Sequence, residues 1–163
     1  TGLRFFTVYG PWGRPDMALF KFTKNIINGK KIDLYNNGHH VRDFTYIDDI
    51  VKSIYLASKK IPKKNKLYNF KKMNPKNSYC PYRILNIGGN QCVTLKTFVE
   101  IIEKNIGIKS KKNYLPMQLG DIYKTQASTD WVKKNIKFTP KIKIKRGIKL
   151  FLDWYFEYYK VKI

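Results

Sequence analysis

The arginines of this sequence have the chemistry to hold a phosphate or a carboxylate. The chain contains 28 Lys but only five Arg, and it is also rich in Asn and Ile. That profile is typical of drift in an AT-rich genome, which would have replaced any dispensable arginine. Because a guanidinium binds phosphate oxygens through paired hydrogen bonds, the five arginines, Arg42 among them, are candidate phosphate ligands. Arg14 lies in a loop rich in Gly and Pro, whose rigidity would hold this cation against a carboxylate or a phosphate.

The net charge of +22 favours polyanions as partners, including nucleic acid and anionic membrane surfaces. Most of the lysines, however, lie in scattered pairs, and a nucleic-acid groove usually presents arginine for planar, bidentate contacts. We therefore expect solvated lysines with no nucleic-acid partner, and keep a basic nucleic-acid-binding module as an alternative.

Neither the histidines nor the cysteines predict a metal site. His39 and His40 follow a turn and lack a third ligand nearby. Cys80 and Cys92 do not make a disulfide framework, and the pair is compatible with a reducing cytoplasm. We expect a cytoplasmic protein with no membrane partner, because the apolar runs are too short to span a bilayer.

The elements that position these residues predict a mixed α/β chain. Its 163 residues suit one domain, and 43% apolar residues can form a core. Asp16 is the predicted cap of the first helix, and Asp48 or Asp49 that of the second. The segment at 59–82, rich in Lys, Asn and Pro, is a predicted surface insertion. Predicted strands lie at 3–9, 32–35, 42–47 and 83–87, and predicted helices at 17–28, 50–55, 95–106, 130–135 and 148–159.

The chain looks like part of something longer. Residue 1 is Thr, and the segment at 3–9 reads as a buried strand, which needs neighbours to pair with. The regular alternation of strands and helices in a complete doubly wound sheet is also lacking.

Four blocks occur in the sequence: RFFTVYGPWGRPDMA at 4–18, RDFTYIDD at 42–49, PYRILNIG at 81–88 and LPMQLGD at 115–121. Together they resemble the extended short-chain dehydrogenase/reductases, the NAD-dependent epimerase/dehydratase family. The pattern is most similar to the C-terminal half of UDP-glucuronate 4-epimerases. The insertion before Pro81 also suits this subgroup, and the resemblance runs from residue 2 to about 159.

This resemblance implies an α/β fold: the C-terminal part of an extended Rossmann-type epimerase, with the last sheet strand and a mixed α/β substrate-binding domain. Residues 1–163 would then be the UDP-sugar-binding part, with the cofactor-binding half absent. The implied reaction is NAD-dependent 4-epimerisation of UDP-glucuronate to UDP-galacturonate through a transient 4-keto sugar. The full-length protein is expected to be a homodimer.

The sequence contains no Gly-x-x-Gly-x-x-Gly loop for a cofactor pyrophosphate. It also has no Tyr-x-x-x-Lys pair before the strand at 3–9. The resemblance therefore places the catalytic Tyr and Lys, and most of the NAD site, in the N-terminal half. We expect the chain alone to be inactive.

The resemblance also implies roles for individual residues. Arg42 would contact the UDP diphosphate, and Arg14 would contact the glucuronate carboxylate or a phosphate, with Thr7 donating to the carboxylate. Tyr35 would stack on uracil while the backbone of Asp33 reads the base edge. The remaining residues are Gln118 and Asp121 near the ribose and diphosphate, and Tyr9 and Pro11 beside the nicotinamide.

The sequence departs from the family pattern at two positions. Leu119 stands where Pro is usual, and Ser128 stands where an Ala-Asp pair would continue. We expect a looser loop at the first and an altered local geometry at the second. Other nucleotide-sugar epimerases or dehydratases, and an inactive fragment, stay open as alternatives.

Overall fold

The computed structural model describes residues 1–162, which form eight strands and five α-helices. The strands are β1 (Gly2–Phe5), β2 (Val8–Tyr9), β3 (Lys31–Tyr35), β4 (Val41–Asp43), β5 (Thr45–Tyr46), β6 (Ile84–Ile87), β7 (Cys92–Thr94) and β8 (Lys111–Leu115). The helices are α1 (Ala18–Ile27), α2 (Ile47–Ser58), α3 (Leu95–Ile106), α4 (Asp130–Ile136) and α5 (Ile144–Tyr159), with a 3-10 turn at Asn36–Gly38.

The strands pair two by two. Strand β1 pairs with β6, β2 with β5 and β3 with β8, each in parallel, whereas β4 pairs antiparallel with β7. Parallel pairing needs crossover connections, and the helices supply them. The predicted mixed α/β class is confirmed.

The strand predicted at 3–9 is wrong in two respects. It is two strands, because β1 follows β6 whereas β2 turns to pair with β5. It is also not buried, since the Phe5 side chain is 46% exposed. Among residues 1–162, β1 has a strand neighbour on one side only. The segment predicted at 42–47 is likewise divided at Phe44, where β4 ends and β5 begins.

Two aspartates predicted to cap helices bind other groups, Asp49 through tertiary contacts and Asp16 through a local ion pair. Helix α2 begins at Ile47, and the buried carboxylate of Asp49 accepts the amides of Lys141 and Ile142 at 3.0 and 2.9 Å. Asp16 makes an ion pair with Arg14. Both carboxylates thus bind partners other than the amides of their own helix.

Helix α3 has the ends that the sequence predicts. The Thr94 hydroxyl accepts the amide of Thr97 at 3.1 Å, which satisfies a free amide of the first turn. The chain leaves the helix at Gly107. Because both signals are local, the sequence alone was sufficient here.

The main core lies between β3 and the apolar faces of α1, α3 and α5. Phe98 of α3 is fully buried and stacks on Phe44 with ring centroids 4.4 Å apart. Ile32 and Leu34 of β3 and Phe151 of α5 are buried in the same cluster. A smaller cluster lies between α2, β6 and α4. These clusters fix the β-strand ends from which the candidate site residues project.

Residues 59–82, called the insertion below, join α2 to β6 through a series of turns and are mostly exposed. Across residues 1–162, no helix is both long enough and apolar enough to span a bilayer.

Candidate functional site

Strand β4 and the loop after β8 bring Arg42 and Asp121 together. The loop is docked along β4 by the Val41 amide, which donates to the Tyr123 carbonyl at 2.9 Å, and by the Thr125 amide, which donates to the Val41 carbonyl at 3.1 Å. This pairing places the Arg42 Nη2 atom 2.9 Å from Asp121 Oδ1. Both side chains keep part of their surface in solvent, so this cation can still meet a ligand.

His40 lies on the other side of the same carboxylate. Its Nδ1 atom is 3.4 Å from Asp121 Oδ2, and its ring is buried. The sequence predicts no partner for this histidine. No cluster of three metal-ligating side chains occurs within residues 1–162.

Gln118 and Asp121 are the ends of one tight turn. The Asp121 amide donates to the Gln118 carbonyl at 3.2 Å, and Gly120 has a φ of 81°, a conformation that favours glycine. Leu119 stands at the position where proline is favoured in such a turn. The turn forms without that proline, and Leu119 is fully exposed at its tip.

The loop at residues 10–16, called the Arg14 loop, holds its cation at the surface. Arg14 donates to both carboxylate oxygens of Asp16, with Nε–Oδ1 and Nη2–Oδ2 distances of 3.1 and 2.6 Å. This hydrogen-bonded pair raises the pKa of the Arg14 guanidinium and lowers the pKa of the Asp16 carboxyl. The Arg14 guanidinium is thus already paired with the Asp16 carboxylate.

An open cavity of about 450 Å³ lies against the Arg14 loop. Four of the predicted site residues line it, namely Thr7, Tyr9, Pro11 and Arg14. Its lining does not include Arg42 or the other predicted substrate residues. The predicted ligand-binding residues are thus separated in the structure. One set lines this cavity, and Arg42 lies apart from it, beside Asp121.

Tyr9 is mostly a core residue. Its ring packs edge-on against Phe44 and Tyr46, with centroid distances of 5.9 and 5.6 Å, and its hydroxyl faces Gly147 of α5. Burial, with smaller effects from Tyr46 and Asp49, raises the pKa of Tyr9 well above its ordinary value. Burial therefore disfavours the phenolate form of Tyr9.

The predicted uracil-reading residues lie on β3. The Asp33 carboxylate accepts the Asn113 side-chain amide at 2.9 Å, which links β3 to β8. Tyr35 is the last residue of β3, and it is half-buried opposite Leu115. The Asp33 side chain is therefore engaged, which leaves its backbone and the Tyr35 ring as the candidate contacts.

Sequence reasoning missed the role of Asp43, which organises the region behind Arg42. Its carboxylate is fully buried and accepts the amides of Gln91 and Ala127, both at 3.0 Å. The Gln91 side chain in turn donates to Ile142 and accepts from Ile144. The sequence offers one indication of this role, an acidic residue next to Phe44 in a predicted strand. A carboxylate that such a strand buries must be hydrogen-bonded.

Gly89 allows the loop after β6 to approach β4 and β5. A β-carbon at this position would lie 2.1 Å from the Phe44 carbonyl oxygen, so only glycine fits without movement of the backbone. This contact and the Asp43 hydrogen bonds fix the strand that carries Arg42.

Comparisons with known proteins agree with the family resemblance of the sequence. A model of the NAD dependent epimerase/dehydratase family matches residues 1–70. Protein CapI of Staphylococcus aureus is 52% identical over 160 residues, which cover 98% of this chain and 48% of that protein. A probable UDP-glucuronate 4-epimerase of Rhizobium meliloti is 47% identical over 161 residues, covering 98% and 47%. The chain spans about half the length of the curated relatives it matches.

The fold is similar to that of a solved epimerase. The structure of UDP-glucuronic acid 4-epimerase from Bacillus cereus, in complex with UDP-glucuronic acid and NAD, superposes with a TM-score of 0.80. Sequence identity is 27%, and the match covers 96% of this chain and 45% of that one. The chain thus matches the expected family, and it corresponds to the C-terminal part of the epimerase fold.

Proposed function

Because the chain matches the C-terminal part of the extended short-chain dehydrogenase/reductases of the epimerase type, we propose that it forms the UDP-sugar-binding portion of an NAD-dependent 4-epimerase. The proposed substrate is UDP-glucuronate, and the proposed product is UDP-galacturonate, formed through a transient 4-keto sugar. Similarity to a protein solved with UDP-glucuronic acid and NAD supports this choice of substrate.

The observation that carries the proposal is the pairing of Arg42 with Asp121. Two blocks 79 positions apart meet to present a half-buried guanidinium beside a carboxylate. A guanidinium binds diphosphate oxygens through charge-assisted hydrogen bonds, and a carboxylate accepts hydrogen bonds from ribose hydroxyls. The proposed role of Arg42 is diphosphate binding, and that of Asp121, with Gln118 on the same turn, is ribose binding.

The Arg14 loop supplies the proposed contact for the sugar carboxylate. Arg14 and Thr7 line one cavity, and a cation with a hydroxyl suits a carboxylate. The Asp16 carboxylate already binds Arg14 in the way a uronate would. Substrate would therefore replace Asp16 on the guanidinium.

The end of β3 is the proposed uracil site. Tyr35 offers an aromatic ring for stacking, and the Asp33 backbone would read the base edge. The hydrogen bond from Asn113 keeps the Asp33 side chain across the strand pair, so base recognition falls to the main chain.

The residues around the cavity fit one end of NAD. Pro11, together with Phe5 and Phe6, gives this cavity an apolar wall that suits a flat nicotinamide ring, with buried Tyr9 shaping the turn behind it. When bound, NAD would supply hydride acceptance and return. The chain offers no glycine-rich loop for the pyrophosphate, so most cofactor contacts would come from elsewhere in an epimerase.

We expect this chain to bind UDP-sugar without turnover. No Tyr-x-x-x-Lys pair precedes the strand at 3–9 in this sequence, which is where the resemblance places the tyrosine that would remove the 4-hydroxyl proton. Homodimerisation and a cytoplasmic location belong to the proposal for the longer protein.

Calorimetric titration with UDP tests the proposed diphosphate site. We expect the unaltered chain to bind UDP, and Arg42→Leu to weaken binding by about tenfold to a hundredfold, because hydrogen bonds to charged groups are strong. Arg146→Leu is the matched control, since Arg146 is exposed on α5 and should leave affinity unchanged. Equal losses in the two variants would contradict the proposal.

A further inference from the structure

The insertion carries a concentrated positive charge. Eight of the chain's 28 lysines fall within residues 59–82, and this segment contains no Asp or Glu. An AT-rich genome accounts for many lysines, but it does not require the acidic residues to be absent. The insertion is therefore a local cationic surface with no internal counter-charge.

Bulky apolar side chains of the same segment are exposed. Ile61, Leu67, Phe70 and Met73 are 81%, 92%, 69% and 79% exposed. A solvated lysine loop, as predicted from the sequence, has no need of them. Four bulky apolar side chains exposed among eight lysines of one short segment indicate an interaction site, since apolar groups beside cations suit the boundary of an anionic bilayer.

The insertion has a defined shape, because three asparagines fold it into successive turns. The side chains of Asn65, Asn69 and Asn74 each accept the amide two residues further on, at 2.9 to 3.1 Å. Asn65 also donates its amide to the Tyr79 carbonyl at 3.1 Å. The turns limit the ordering that binding would require.

Arg83 fastens the base of the insertion to the folded domain. Its guanidinium donates to Thr1 Oγ1 at 3.1 Å and to the carbonyls of Ala57 and Lys60. It also lies over the Trp131 ring, 4.8 Å from the centroid. The cationic surface is thus attached to the domain at both its ends, next to α2 and β6.

We propose that the insertion docks the protein on an anionic lipid bilayer. Its lysines would bind headgroup phosphates, and Leu67, Phe70 and Met73 would enter the boundary between headgroups and acyl chains. Such peripheral docking needs no spanning helix, and it revises the expectation that the protein has no membrane partner. It is independent of the proposed epimerase function.

The residue types favour lipid over nucleic acid. The insertion contains no arginine, which nucleic-acid sites use for bidentate contacts. The most exposed apolar side chains of the insertion, Ile61, Leu67 and Met73, also cannot stack on bases, whereas only the less exposed Phe70 and its neighbouring tyrosines are aromatic. Headgroup phosphates are met by flexible lysines without such geometry.

Vesicle co-sedimentation tests the proposal. We expect the chain to bind vesicles of phosphatidylcholine with phosphatidylglycerol, and to leave pure phosphatidylcholine vesicles in the supernatant. Replacing Leu67, Phe70 and Met73 together by Ser should weaken partitioning at least about tenfold, because each buried methylene contributes. Equal sedimentation of this variant and the unaltered chain would overturn the proposal.

A charge-matched pair of variants separates local docking from the attraction of a +22 chain. One variant replaces four lysines of the insertion by Gln: Lys63, Lys64, Lys71 and Lys72. It should bind anionic vesicles at least about tenfold more weakly, since a lysine near an anionic surface contributes about fivefold to affinity. The control variant replaces four exposed lysines outside the insertion by Gln. It loses the same charge, and its vesicle affinity should change by less than about threefold. These control lysines are Lys133, Lys134, Lys137 and Lys141.

Unchanged thermal unfolding and UDP affinity would show that the variants remain folded. Equal losses in the two charge variants would overturn local docking. Single-stranded RNA that bound more tightly than the vesicles, with the same sensitivity to the insertion variants, would instead make this a nucleic-acid surface.

Discussion

The Arg42 guanidinium lies 2.9 Å from the Asp121 carboxylate, although 79 positions separate the two residues in the chain. This contact joins β4 to the turn after β8. It fixes one side of the Arg42 guanidinium, while part of the Arg42 side chain stays exposed to solvent. An arginine fixed in this way loses less conformational freedom when it binds a phosphate.

Replacing Asp121 by Asn tests this relationship. We expect UDP affinity to fall about tenfold, because Arg42 loses the partner that orients it and the ribose loses a charged acceptor. The free energy of unfolding should change by less than about 1 kcal/mol, since the pair is partly exposed. Calorimetry and urea unfolding measure the two quantities. Asp16→Asn is the control, and a UDP affinity equal in all three proteins would contradict the prediction.

Arg14 should determine selectivity for the uronate. Arg14→Leu is expected to lower affinity for UDP-glucuronate about tenfold while leaving affinity for UDP and UDP-glucose unchanged, because only the carboxylate meets this guanidinium. Competitive titrations with the three ligands provide the measurement. Equal losses for UDP-glucuronate and UDP-glucose would favour another nucleotide sugar as substrate.

Gly89→Ala should destabilise the fold by about 3 kcal/mol, because overpacking against backbone cannot relax easily. The added carbon would lie 2.1 Å from the Phe44 carbonyl oxygen. Gly29→Ala is the control, since that position has a φ of +63° but open space around it, and should lose only about 1 kcal/mol. Urea unfolding compares them, and a Gly89→Ala loss no larger than the control's would contradict the close approach.

Glu103 should make the stability of the chain depend on acid pH. Burial raises the pKa of its carboxyl, but hydrogen bonds from Lys112, Ser110 and Lys109 outweigh burial and hold the pKa at about 2, below the ordinary value of 4.5. Because the folded pKa is the lower one, the stabilisation is present above about pH 4.5 and is lost as pH falls towards about 2.

Unfolding free energies measured from about pH 6 to about pH 2 provide the test. Glu103→Gln should be less stable than the unaltered chain at neutral pH, and its stability should fall less in the acid range. Glu100→Gln, on the exposed face of the same helix, should keep the unaltered slope. Parallel acid profiles for Glu103→Gln and the unaltered chain would refute the assignment.

Local signals explain which elements the sequence predicts well. Helix α3 is correct because Thr94 caps it and Gly107 ends it within the chain segment itself. Strand β8 escapes prediction because Lys111, Lys112 and Asn113 give it no apolar pattern. Its five residues are strand only through parallel pairing with β3, which lies about 80 positions earlier in the chain.

The same distinction applies to the candidate site. The family resemblance predicts that Arg42 contacts a phosphate, but no local pattern identifies Asp121 as the side chain that pairs with it. Asp49 likewise resembles a helix cap but binds the amides of Lys141 and Ile142. Such long-range partners depend on tertiary packing, which no local pattern specifies.

A crystal structure of the chain with UDP-glucuronate would test the account most directly. We predict one bound molecule whose diphosphate contacts the Arg42 guanidinium and whose carboxylate contacts Arg14, with Asp16 displaced. A nucleotide bound away from Arg42, or two guanidinium groups too far apart to reach the same molecule, would contradict the proposed function.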